Sequence, residues 1–505
     1  MGTDNGPGKG PAILPIEASP SSERTGLLGD DTLYKIGMFR LAGRTSEECK
    51  DLKFAPEKDG AVPHTKWYMT SFLIAGEVMG AGLLALPAAA AKLGWTMTIL
   101  AMFACALASS YSGSAIARVK NEFYTYADGY ADLAHATGGP AFGLFARLFI
   151  VFNWSMLCPY YLISIGSAIK NTFQGVSVCN WVWSLISVAL VWLPSQFTTL
   201  KYVSYLAIPS AAAIVLAALM IIAQLLLESD GFGKHTSAGT PPTAPGKSDF
   251  AAFLTTYSAF SSIVFAFQGQ DMFCEMIHDM EDQSQAIQAV TTSYILMGSN
   301  YLFMTTMAYG AKGSTVADFL PDALPSGPTK SVVNLLVAFH VIVAYVITSN
   351  VVCKVFYSVL FKSTPLSHAS TKPWSESWTI RTRWLLLTSC LSIFAFIIAN
   401  LIPAFGAFQG LLGAFCAAPI VFGFPALFLY LGHRHHDRPL QKSDMAICSL
   451  FFFVLMPSMM TLGTIGAVYD MMDALQRTTA GMPFACGPTE PFVRFSLGFS
   501  AHLRK

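Results

Sequence analysis

The chain has 505 residues, of which 53% are hydrophobic and 12% charged, with a formal net charge of +1. Soluble domains carry about twice that share of charge, roughly 25%. The balance argues against a soluble enzyme, a disordered chain and a nucleic-acid binder with a basic surface, and favours a polytopic, all-α membrane protein.

Residues 1–66 are polar, rich in Gly, Pro and charge, and carry no apolar run near Met1. They read as a disordered cytoplasmic tail without a secretory signal. Within them Glu23-Arg24-Thr25-Gly26-Leu27-Leu28 matches an acidic di-leucine pattern, the kind that a sorting adaptor reads to direct proteins to endosomes or lysosomes. Stretches of about 20 apolar residues then recur. They predict eleven spans, near 67–91, 96–118, 143–170, 180–197, 201–227, 250–276, 286–311, 330–361, 382–400, 404–431 and 444–472. Pro194 interrupts the fourth near its end. Tyr124 to Thr137 predicts a short amphipathic helix ended by Gly138-Gly139-Pro140. Residues 228–249 predict an irregular connection. A membrane domain thus covers 67–472, with a short extracytoplasmic tail over 473–505.

Lys and Arg set the orientation. With the N-terminus cytoplasmic, the short inside connections carry twelve of them, including Arg118, Lys120, Arg147, Arg381, Arg383 and Arg434, against six in the short outside connections. The long N-terminal tail carries nine more. There is no soluble domain large enough for a catalytic core, so an enzyme is not expected. Of the ten cysteines most lie inside spans; Cys179 and Cys486 fall outside, as a pair or as two free thiols. The run His433-Arg434-His435-His436-Asp437 reads as a hydrated basic flank rather than a metal site.

In the bilayer core, backbone polar groups must be satisfied, and irregular backbone is tolerated only where it lines a cavity or is buried in protein. Two spans carry the signs of such irregularity. The first contains Gly76-Glu77-Val78-Met79-Gly80-Ala81-Gly82, followed by Leu86-Pro87. The sixth contains Phe265-Ala266-Phe267-Gln268-Gly269-Gln270-Asp271, then Glu275. Interrupted segments at equivalent places in two halves point to an inverted-repeat transporter with its binding site between them.

At these residues the sequence resembles the amino acid/auxin permease family. Gly80-Ala81-Gly82-Leu83-Leu84-Ala85-Leu86-Pro87-Ala88, with Leu93-Gly94-Trp95, is similar to the family's first-helix signature. Phe265-Ala266-Phe267-Gln268-Gly269 with Glu275 is similar to its sixth-helix signature, and Tyr130-Ala131-Asp132-Leu133 with Gly138-Gly139 to its loop between helices 2 and 3. The resemblance covers roughly 66–472. It implies eleven helices, a cytoplasmic N-terminus, a LeuT-like five-plus-five inverted repeat with broken helices 1 and 6, and ion-coupled transport of amino acids. The proton-coupled animal members carry a histidine in the first helix; here Glu77 lies on the broken stretch and no histidine does.

The expected chemistry follows from the cargo, a zwitterion. Its carboxylate suits the N–H groups of Gly80, Ala81, Gly82 and Leu83 at a half-helix N-terminus. Its ammonium suits carbonyls near Phe267 and Gln268, with Gly269 and Gln270 in the same break. Phe267, Phe273, Tyr160 and Asn153 are candidates for side-chain selectivity. Glu77 is the expected proton carrier, because a charged carboxylate at mid-membrane is disfavoured and protonation relieves it. Asp271 and Glu275 are expected at a gate. Sodium coupling is the alternative, through carbonyls of Gly76 and Met79 with hydroxyls of Thr348 or Ser349. His340 reads as a packed, satisfied residue and Lys354 as a snorkelling one. No cofactor is expected beyond the co-transported ion, and the partners are the amino acid and the bilayer. A low-turnover amino-acid sensor and a channel-like facilitator are the competing readings.

Overall fold

A computed structural model describes residues 65–176, 178–198, 201–239, 248–361, 374–402 and 404–477. The di-leucine pattern and Cys486 lie outside the described residues. Cys179 is disulfide-bonded. The described residues form helices and turns, apart from an isolated bridge between Thr65 and Met280.

The elements in chain order are α1 (Trp67–Val78), a 3-10 turn (Ala81–Ala85), α2 (Leu86–Phe123), α3 (Tyr130–Thr172), α4 (Asn180–Trp192) and α5 (Lys201–Leu227). The second half has α6 (Asp249–Ala266), a 3-10 turn (Gln270–Met272), α7 (Phe273–His278), α8 (Ala286–Lys312), α9 (Pro328–Leu360) and α10 (Trp374–Leu401). Two last helices follow, α11 (Phe405–His435) and α12 (Lys442–Leu475). By length and composition, eight helical stretches among the described residues are able to cross a membrane.

Glycine and proline mark the bends. Gly94 takes a φ of 73° inside α2, at the corner between the first and second predicted spans. A Cβ there would also collide with the Gly239 carbonyl, so only glycine fits. The connection after α5, expected to be irregular, docks on this corner: the Trp95 N–H donates to the Ser237 oxygen at 3.0 Å and the Thr96 N–H to that of Ala238 at 2.9 Å. Gly139, with a φ of 79°, bends α3 ahead of Pro140. The predicted amphipathic helix therefore starts at Tyr130 rather than Tyr124, and it runs on into the third span instead of ending at Gly138-Gly139-Pro140. Pro140 follows the bend, where a missing N–H costs least. Pro194 stops α4 after Trp192 and opens a 3-10 turn, Pro194–Gln196.

Helices α11 and α12 contain π-wound stretches, Pro419–Gly423 and Met459–Gly463 among them. Such winding leaves carbonyls poorly matched to their own helix. Tyr130 donates its hydroxyl to the Ile420 carbonyl at 2.8 Å, and Ser112 donates to that of Val421. These bonds fasten α11 to α2 and α3.

The core sits where α8 packs on α1 and α2, α9 on α3 and α5, and α11 and α12 on α6. Charged pairs tie the helices at the two ends of the bundle. At one end the Lys92 ammonium meets Asp470 at 2.9 Å, and Thr255 donates to the same carboxylate at 3.1 Å. At the other, Arg118 meets Asp444 at 2.9 Å, with the Tyr111 hydroxyl at 2.7 Å.

Candidate functional site

Helix α1 stops at Val78, and the chain passes through Met79 and an extended Gly80 before winding into the 3-10 turn. The Gly80 N–H turns back to the Val78 oxygen at 2.8 Å, and the Leu83 N–H reaches the Gly80 oxygen at 3.2 Å. Ala81 and Gly82 open the turn, where N–H groups have no carbonyl of a preceding turn to meet. Helix α6 stops at Ala266; Phe267, Gln268 and Gly269 are non-helical, and winding resumes at Gln270. Both expected breaks are present.

The two breaks touch. Gly82 lies against Ala266 and Phe265, whose atoms stand 3.4 Å from where its Cβ would be. A Cβ on Gly269 would collide with the Val78 side chain. Gln409 of α11 bridges them: its amide nitrogen donates to the Gly82 oxygen at 3.0 Å and to the Ser262 oxygen at 3.1 Å. Its amide oxygen accepts from the buried Tyr160 hydroxyl at 2.7 Å. Sequence reasoning missed Gln409; a lone glutamine in an apolar run, between Phe408 and Gly410, was the available signal.

Other carbonyls freed by the breaks are taken up by tyrosines of α8. Tyr301 donates to the Val78 oxygen at 3.1 Å, and Tyr294 to the Phe267 oxygen at 3.2 Å. Gln270, expected to help hold the cargo, is fully buried and turned into the protein. Its nitrogen donates to the Tyr294 oxygen at 2.8 Å and its oxygen accepts the Gly269 N–H at 2.9 Å. Gln268 keeps a buried amide oxygen with no donor.

Glu77 is exposed in the last turn of α1, whose buried residues are Thr70, Ser71, Ile74 and Ala75. No hydrogen bond or ion pair engages its carboxylate among the described residues. Asp271 and Tyr161 are within electrostatic reach of it, and Tyr161 in turn lies against Thr348. Ser349 faces elsewhere: its hydroxyl lies 3.1 Å from that of Ser195 and 3.2 Å from the Val346 oxygen. At Gly76 and Met79 the chain is partly exposed.

Asp271 and Glu275 separate. Asp271 is buried and accepts the Trp154 indole N–H at 2.8 Å. Glu275 belongs to a charged cluster at the Arg118 end of the bundle, beside Gly129. Asp132 there pairs with Arg147 at 3.1 Å and accepts the Gly129 N–H at 3.2 Å. Lys120, fully buried, donates to the Ala127 oxygen at 2.6 Å. His278 meets Asp128 at 3.2 Å. The start of α1 is clipped to the same region, with Thr65 exchanging backbone bonds of 2.9 Å with Asp279 and Glu281.

Buried aromatic rings cover the breaks. Tyr160 stacks on Phe405 with centroids 4.8 Å apart, meets Phe265 edge-on at 5.2 Å, and Phe319 meets Phe405 at 5.2 Å. Phe273 is buried against Gly113 and Tyr294, behind the break rather than on its open side. Asn153 is buried with neither amide atom paired.

The described residues form an all-helical bundle with apolar helices long enough to cross a membrane and two interrupted helices in contact, the architecture of a membrane protein. The chain matches the transmembrane amino acid transporter protein family over residues 63–469, and it belongs to that family. It is similar to the N amino acid transport system protein of Neurospora crassa, at 24% identity over 84% of this chain and 88% of the relative. It is also similar to lysine histidine transporter-like 4 of Arabidopsis thaliana, at 20% identity over 82% of this chain and 90% of that protein. The vesicular inhibitory amino acid transporter of Homo sapiens is 22% identical over 70% of this chain and 67% of that protein.

Proposed function

We propose that the chain is a secondary active amino-acid symporter, coupled to protons, that works by alternating access. In this reading the bundle crosses the membrane eleven times with its N-terminus cytoplasmic, as a LeuT-like five-plus-five inverted repeat. The membrane is the plasma membrane or, through the di-leucine pattern, an endolysosomal one.

The observation that supports it most is the pair of touching breaks with the unengaged Glu77 carboxylate on one of them. The N–H groups of Ala81 and Gly82 open a short helical turn and favour an anion, the cargo's carboxylate, whereas those of Gly80 and Leu83 are bonded within the break. Among the described residues Glu77 meets no fixed cation, so in this reading its charge is met by the cargo's ammonium or removed by a proton. A neutral Glu77 crosses the closed state at lower cost than a charged one. One charge moved through 100 mV contributes about 2.3 kcal/mol, and one unit of proton gradient about 1.4 kcal/mol. Together they sustain a cargo gradient of about 500-fold.

Uptake of labelled amino acids into proteoliposomes, with pH and sodium varied independently, tests the reading. Accumulation driven by an acid outside is the expected result. Correctly inserted protein that moves no amino acid under any gradient overturns it. Glu77→Gln is expected to abolish proton-driven accumulation while leaving downhill exchange; unchanged proton coupling would remove Glu77 from that role. Sodium coupling is the second reading. It is favoured by the partly exposed Gly76 and Met79 beside the Tyr161–Thr348 contact, and sodium-driven uptake at uniform pH would establish it.

A further inference from the structure

His340 lies in the middle of α9 and is 94% buried, with a relative exposure of 6%. Its Nδ1 stands 3.1 Å from the Ser210 carbonyl oxygen and 2.9 Å from the Ser210 hydroxyl. A carbonyl only accepts, so Nδ1 serves it in the tautomer that carries the hydrogen there, with the Ser210 hydroxyl free to bond elsewhere. In that tautomer of the neutral ring Nε2 is a bare acceptor. Nε2 is buried with no hydrogen-bond partner. It points at the first break, 3.7 Å from where a Cβ on Gly80 would be. A side chain held by one nitrogen so that the other faces unwound backbone is not the packed, satisfied residue expected from the sequence.

The acceptors around the breaks divide into two sets. The carbonyls of Val78, Phe267 and Gly82 already accept from Tyr301, Tyr294 and Gln409. Among the described residues no donor reaches the exposed Glu77 carboxylate or the buried Gln268 amide oxygen and His340 Nε2. An unpaired buried acceptor is destabilising by about 1–3 kcal/mol, so a state in which a donor reaches it is favoured by that amount. A primary ammonium group brings N–H donors of the kind that Nε2 lacks.

We propose that His340 is a cargo-contacting residue whose Nε2 accepts a hydrogen bond from the ammonium group of a primary amino acid, beside Glu77 and Gln268. Nε2 is sealed in the conformation described, so the contact forms as the Gly80 stretch shifts against α9 when cargo binds. The inference deepens the transport reading and rests on the same site; it requires that an amino acid bind there, not that it be moved. No charged side chain bears on the ring, and Ser210 is the polar residue facing it.

Two substitutions separate contact from scaffolding. His340→Asn keeps a donor for Ser210 and deletes the Nε2 acceptor; His340→Gln sets an amide oxygen at the Nε2 position and gives up Ser210. Amino-acid Kd on purified full-length protein, by calorimetry, is compared with KM, maximal rate and pH profile in proteoliposomes. The expected result is an Asn variant with Kd and KM raised about tenfold, near 1.4 kcal/mol, and with rate and pH profile unchanged. The Gln variant stays within about threefold of the parent. The reverse order, equal loss in both, or no loss in either overturns the proposal, as does an Asn variant that has lost pH dependence, since His340 would then be a proton site. Parent protein that binds without transporting defeats the symport reading and leaves this comparison intact; parent protein that does not bind defeats both.

Discussion

The two interrupted helices differ in how their backbone is satisfied. The break in the sixth predicted span is mostly filled from within, the Gln268 amide oxygen excepted: Gln270 folds back on Gly269, Tyr294 caps Phe267, and Trp154 holds Asp271. The break in the first is left open on one side, with Glu77 exposed and unengaged and His340 Nε2 facing Gly80 without a partner. A backbone whose polar groups are met internally stays put when cargo comes and goes, whereas one with unmet groups gains most from a ligand. In the proposed reading the sixth-span break is therefore the more fixed wall and the first the more responsive one.

Gly82→Leu breaks the contrast most severely. Gly82 is where the two breaks meet, with Ala266 and Phe265 at van der Waals distance. Overpacking costs about 1–3 kcal/mol, enough to reduce the closed population by about fivefold to a hundredfold. Uptake rate is expected to fall by that factor with the protein still inserted, as read by surface labelling; unchanged uptake would mean that the breaks need not touch.

Gln409→Leu comes next. It strips partners from Gly82, Ser262 and Tyr160 at once. Interhelical hydrogen bonds in membranes average about 0.6 kcal/mol each, so the loss is about 2 kcal/mol. Thermal unfolding in detergent should shift down by several degrees, and uptake should fall because the bridge spans both breaks.

Tyr294→Phe should have the smallest effect. It removes one hydroxyl and its two bonds, to Phe267 and Gln270, at about 1.2 kcal/mol together. Tm is expected to drop slightly and KM to change less than twofold. A large change in KM would show that the sixth-span break also senses cargo.

Much of the fold was legible in the sequence because the bilayer imposes long apolar runs, and because Gly and Pro announce where a helix cannot continue. Gly94, Gly139 and Pro194 bend or stop helices near where the pattern indicated. The boundary error at Tyr124 arose because a polar, amphipathic start joined to an apolar span looks like two helices, whereas a single glycine bend keeps them in one run. The site was half legible. Gly80-Ala81-Gly82 and Gln268-Gly269 mark the breaks, but the roles of Gln270 and Ser349 depended on which way their side chains turn. Gln270 turns to Tyr294 and Ser349 to Ser195.

Sequence by itself determined that the chain is a helical membrane protein with two weak points, because hydropathy and backbone propensity are local properties that act residue by residue. Only tertiary structure decided which of the freed groups are met. Val78, Gly82 and Phe267 find their donors on Tyr301, Gln409 and Tyr294, up to 327 residues away in the chain. Which acceptors remain unpaired is set by that long-range pairing, and no local pattern encodes it.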